Sequence, residues 1–144
     1  LSLNEDRLMD FTRALQAQVA QSLSIDDYAH VVATDGSLDA MQLNLATAEQ
    51  LRDHGPWGQQ FPEPLFDGVF DLLQQRVVGE KHLKLVLGHA ELAGLQLDAI
   101  HFNMDQQCWP NLAVCRIHCV YRLDINEYRG LEKVQLLIEY LEPA

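Results

Sequence analysis

Between Gly55 and Gly68 the chain reads Gly-Pro-Trp-Gly-Gln-Gln-Phe-Pro-Glu-Pro-Leu-Phe-Asp-Gly, and this stretch separates two unlike parts. Three of the five prolines fall within it. Pro62 and Pro64 fix φ, remove two backbone donors and drive their predecessors toward extended geometry. The interspersed glycines admit conformations closed to other residues. The segment is therefore excluded from helix and from a central strand. It is expected to be a rigid connector that aims Trp57, Phe61 and Phe66.

Upstream the pattern is helical. Ser2 and Glu5 fit a capping box, and Leu8, Phe11, Leu15 and Val19 recur at helical spacing, which predicts a helix from about residue 4 to 21. Residues 28–34 read as a short strand closed by the turn pair Asp35-Gly36. A second helix is expected over residues 44–53, stopped by Gly55-Pro56. Downstream the period changes to two. Strands are expected over residues 68–78, 82–87, 95–103, 114–125 and 134–141, with turns at Gly79-Glu80 and Gly130. In the third, Ile100 and Phe102 are expected to point inward. In the fourth, Cys115, Ile117, Cys119, Tyr121, Leu123 and Ile125 share a face. Five short strands predict a mainly β (α+β) fold, a small closed barrel behind flanking helices, because closure removes exposed edges.

Charge limits what such a barrel binds. The 144 residues carry a net charge of −11, which opposes indiscriminate binding to a polyanion. The imbalance lies in residues 1–71, with 12 acids against 3 bases; residues 72–144 hold 9 against 7. Any anion-binding surface belongs to the second half. No apolar run approaches the ~18 residues that span a bilayer, so no membrane partner is expected. Three cysteines do not make a complete disulfide framework, which reads as a reducing cytoplasm.

Cys115 and Cys119, with His118 between them, invite a metal reading. In a strand their separation is ~13 Å at about 3.3 Å per residue, too far for two sulfurs on one zinc. Small core cysteines are the expectation instead. His54 is read as a histidine at a helix C-terminus, where the dipole favours it. No nucleophile elbow, P-loop or dinucleotide fingerprint occurs, so no catalytic residue is assigned. What remains is a binding surface. Arg76, Lys81, His82 and Lys84 flank one hairpin, and Arg116, Arg122, Arg129 and Lys133 come from later strands. Trp57, Phe61, Trp109 and Tyr128 stand in or beside loops. Single-strand sites join a basic groove to stacking aromatics.

Residues 55–66 followed by Gly79-Glu-Lys-His-Leu-Lys84 resemble the C-terminal part of the RecJ family of single-stranded-DNA exonucleases. Asp98-Ala-Ile-His-Phe-Asn103, Tyr121-Arg-Leu-Asp-Ile-Asn-Glu-Tyr-Arg-Gly130 and Val134-Gln-Leu-Leu-Ile138 continue the resemblance in order. It implies three parts: residues 1–25 as the end of a DHHA1-like domain, 26–68 as linker and connector, and 69–144 as an OB-fold barrel. It implies binding of single-stranded DNA within a 5′-to-3′ exonuclease of DNA repair and recombination. Arg76, Lys81, His82, Lys84, Arg122, Tyr128, Arg129 and Trp57 are the candidate contacts. Asp53-His54-Gly55 is not the Asp-His-His triplet of such enzymes, so no cofactor is expected here and the Mn2+ or Mg2+ site is expected upstream. The alternative is a structural or interaction module that docks a repair partner such as a single-strand-binding protein.

Overall fold

The structure, a computed structural model, describes residues 8–22, 31–58 and 61–144. The chain divides into two units, Leu1–Ala33 and Thr34–Ala144. The first carries α1 (Leu8–Ser22), in which Phe11 and Leu15 of the apolar stripe are exposed. The expected capping box at Ser2 and Glu5 lies outside the described residues, as do positions 28–30 of the expected first strand. Residues 31–34 are not in a strand. The run is β-branched, but Val31 and Val32 are exposed, and without a paired neighbour β propensity alone forms no strand.

In the second unit α2 (Leu45–Asp53) forms where expected. Asn44 caps its start, its side chain accepting a hydrogen bond from the Thr47 N–H at 2.9 Å. His54 is its C-cap, with Nδ1 2.6 Å from the Gln50 carbonyl oxygen. The connector that follows closes on itself, because Gly58 and Phe61 exchange backbone hydrogen bonds of 2.8 and 3.0 Å. Its end departs from expectation. Phe66, Asp67 and Gly68 already belong to β1 (Phe66–Val78) and pair with Tyr121, Val120 and Cys119. The prolines stop two residues short of the strand, so they remove no ladder hydrogen bond. Gly68 makes room there for the Phe70 ring, from which a Cβ would sit 3.1 Å.

The remaining strands are β2 (His82–His89), β3 (Leu92–His101), β4 (Arg116–Tyr128) and β5 (Leu131–Pro143). They close as β1-β2-β3-β5-β4, antiparallel throughout except where β3 runs parallel to β5. Alternation fills the interior. Leu83, Leu85 and Leu87 of β2 meet Leu97 and Ala99 of β3, and Ile117, Cys119, Tyr121 and Leu123 of β4. Each buried leucine contributes about 1.5–3 kcal/mol of transfer free energy.

Several inward and outward assignments change. Leu97 and Ala99 point inward, so Ile100 and Phe102 face out, and Phe102 is 51% exposed. The apolar character of both residues had suggested the opposite register; alternation fixed by the leucines of β2 decides it. Trp109 is buried in the core and is no stacking platform. Phe66 is buried, whereas Phe61 is exposed and stacks on Trp57 with centroids 5.0 Å apart. Cys119 lies in the core and Cys115 is exposed just before β4.

Candidate nucleic-acid interface

The outer face of β1, β2 and β3 carries the residues whose alternation turns them away from the leucine core. Arg76 and Lys84 stand directly opposite each other in the β1–β2 ladder. Like charges in that relation destabilise a sheet. Asp98, diagonal to Lys84 on β3, offsets part of this with an ion pair of 3.8 Å. The hairpin of β4 and β5 borders the same face. Its two-residue turn has Arg129 at φ 53° and Gly130 at φ 76°, the left-handed pair that matches the twist of a tight hairpin. One recess of about 430 Å³ is lined jointly by Arg76, Lys84, Asp98, Asn126, Tyr128, Leu131 and Lys133. Gln74, Gln75 and Val86 continue it along Arg76 and Lys84.

The structure thus brings Arg76, Lys84 and Tyr128 to one groove. Arg129 adjoins them, its guanidinium carbon 5.2 Å from the Tyr128 ring centre. Lys81 sits in the exposed β1–β2 turn, and His82 opens β2 two residues before Lys84. The His82 ring meets that of outward-facing Phe102 edge-on at 5.1 Å, and His82 Nδ1 accepts a hydrogen bond from the Asn103 N–H at 3.3 Å. Lys81, His82 and Arg129 border the groove without lining it, and two further candidates lie away from it. Arg122 is held by Glu139 at 3.0 Å and Glu63 at 3.7 Å, which neutralises it. Trp57 belongs to the connector, half-buried under Phe61. Sequence reasoning left Lys133 and Asn126 out of the contact set and turned Phe102 inward. Alternation from Leu97 and Ala99 turns Ile100 outward, and Phe102 follows in the turn after β3.

Elsewhere the outer face is tied up by its own charges. His118 of β4 bridges Asp67 of β1 at 3.4 Å and Glu142 of β5 at 3.3 Å. Thr34 donates to Asp67 at 2.5 Å and Tyr140 to Glu142 at 3.0 Å. The Glu142 carboxylate, followed by Asp67, raises the His118 pKa against the opposing effect of burial. Among the described residues no group of three or more His, Cys, Asp or Glu is arranged to hold a metal ion. No described helix is long and apolar enough to cross a membrane.

A closed five-strand barrel in this order, with a polar groove beside the β1–β2 and β4–β5 turns, defines the class as an OB-fold domain. The family described as RecJ OB domain matches residues 34–140, and the chain belongs to it. Over 143 residues the chain is 49% identical to the single-stranded-DNA-specific exonuclease RecJ of Dickeya dadantii and 43% identical to that of Escherichia coli. Each match covers 99% of this chain and 25% of the relative, so the chain spans about a quarter of their length. The crystal structure of RecJ in complex with Mg2+ from Thermus thermophilus aligns with a TM-score of 0.73 at 20% identity. That match covers 99% of this chain and 21% of the other, and it bears on the fold alone.

Proposed function

We propose that the groove between the β1–β3 face and the β4–β5 hairpin binds single-stranded DNA, as the non-catalytic strand-holding domain of a RecJ-type exonuclease in the cytoplasm. The observation that carries this reading is the opposition of Arg76 and Lys84. A folded sheet has no structural use for that repulsion, whereas a phosphate between the two cations relieves it. Lys133 adds a third cation, and Tyr128 offers an exposed ring for a base. On this reading the phosphodiester chemistry and its Mn2+ or Mg2+ belong to the part of the relatives that this chain does not span.

Titration of the chain with a labelled single-stranded oligonucleotide at several salt concentrations tests the proposal. Three phosphates released from counterions give a log–log salt slope of about −2. Arg76→Ala combined with Lys84→Ala should weaken binding at least tenfold, with Arg122→Ala close to wild type. Binding that is absent at low salt, or indifferent to salt, contradicts the proposal. A second reading, docking of a single-strand-binding protein, draws on the exposed Phe61 stacked on Trp57. Under that reading Phe61→Ala lowers capture of the partner and leaves the oligonucleotide titration unchanged.

A further inference from the structure

The groove contains one residue that phosphate binding does not explain. Among the described residues, Asp98 is the one carboxylate lining the recess it shares with Arg76, Lys84, Tyr128 and Lys133, and the one in its continuation along Gln74 and Gln75. It sits on the floor, paired across the sheet with Val86 on one side and Gln135 on the other. Its distance to Lys84 Nζ, 3.8 Å, is an ion pair but too long for a hydrogen bond. Both side chains are about one-third exposed. The carboxylate thus keeps open acceptor positions at the centre of a cationic groove. A phosphate placed there would be repelled, while a base edge would not.

We propose that Asp98 gives the groove a base preference, favouring cytosine over thymine. The inference rests on the reading of the groove as a single-strand site and concerns what lies on its floor. With phosphates drawn to Arg76, Lys84 and Lys133, the bases of the strand turn toward β3. A carboxylate accepts hydrogen bonds and donates none. Cytosine presents an exocyclic amino donor where thymine presents a carbonyl oxygen. The amino group satisfies an open Asp98 oxygen; the carbonyl oxygen faces it acceptor to acceptor. Asn126, also in the lining, can turn either end of its amide to a base and imposes no such choice.

The test is fluorescence anisotropy of the full chain with labelled oligo(dC) and oligo(dT) of equal length, at one salt concentration and pH 7.5. Wild type should bind oligo(dC) about fivefold more tightly than oligo(dT), the low end of what a base-specific hydrogen bond supplies. In Asp98→Ala that ratio should fall to about one, and oligo(dT) should bind more tightly than to wild type because a negative charge is gone. Asp98→Asn, which keeps the shape, should also lose the preference, since its amide presents donor or acceptor to either base. A ratio near or below one in wild type, or one unchanged in both variants, overturns the inference while leaving the groove assignment standing. No binding of either oligonucleotide by wild type overturns the groove assignment and this inference together.

Discussion

The three cysteines show how one residue type takes three environments within a single strand and its approach. Cys119 is fully buried between β1 and β5, and burial pushes its thiol pKa up to about 12. Cys108 is exposed, but its thiol donates to the Asp105 carboxylate at 3.4 Å, and the same carboxylate raises its pKa. Cys115 is exposed. Thiolate is the reactive form. Iodoacetamide at pH 8 should therefore label Cys115 first, Cys108 more slowly and Cys119 only on unfolding. Peptide mass mapping reads the order, and modification of Cys119 in the native chain at the rate of Cys115 would contradict the buried assignment. The Cys119 half of this was legible from alternation, because Ile117, Cys119 and Tyr121 share a face. The slowing at Cys108 was not, since it depends on a loop that brings Asp105 back to the thiol.

Among the elements, β1, β4 and β5 are cross-braced by His118, whose two ring nitrogens face Asp67 and Glu142. Thr34 and Tyr140 also hydrogen-bond to this pair of carboxylates, buried Cys119 and Tyr121 lie near Asp67, and none of the four carries charge at neutral pH. The His118 pKa is raised by Glu142 and then Asp67, while the Asp67 pKa is lowered by Thr34 and the Glu142 pKa by His118. A raised histidine pKa contributes stability that is complete below its unfolded value of about 6.5 and is lost as pH rises through the folded value. Lowered carboxylate values contribute stability present above the ordinary carboxylate range of about 4 and lost on acidification. The brace is thus strongest between about pH 5 and 6.5. The urea midpoint of wild type should fall between pH 6 and pH 8, and His118→Gln should flatten that fall; an identical fall in both would refute the brace. The five strands of the second half were legible because the period-two pattern is strict around Leu83, Leu85 and Leu87, while their ends fall up to three residues from expectation. Of the short strand expected over residues 28–34, the described part, 31–34, was misread, since Val31 and Val32 have the composition of a strand without a neighbour to pair with.

For the whole molecule, the contrast is between a net charge of −11 and a groove that gathers Arg76, Lys84 and Lys133 around Asp98. The concentration of bases after residue 72 was visible in the sequence, and so was the resemblance that places the chain in its family. Which of those bases act together was not. That depends on closure of the barrel, which sets Arg76 against Lys84 and folds the β4–β5 hairpin beside them, while Arg122, on the same strand as Tyr128, is spent on Glu63 and Glu139. On the proposed reading, the acidic remainder of the surface repels a nucleic-acid strand outside the groove. The most direct measurement is a map of backbone amide chemical shifts as a short single-stranded oligonucleotide is added to the isotope-labelled chain. The amides of Arg76, Lys84, Asp98, Asn126, Tyr128 and Lys133 should move together and saturate together, with those around His118 and Arg122 still. Shifts centred on His118, Glu142 and Arg122, with the groove unmoved, would contradict the account.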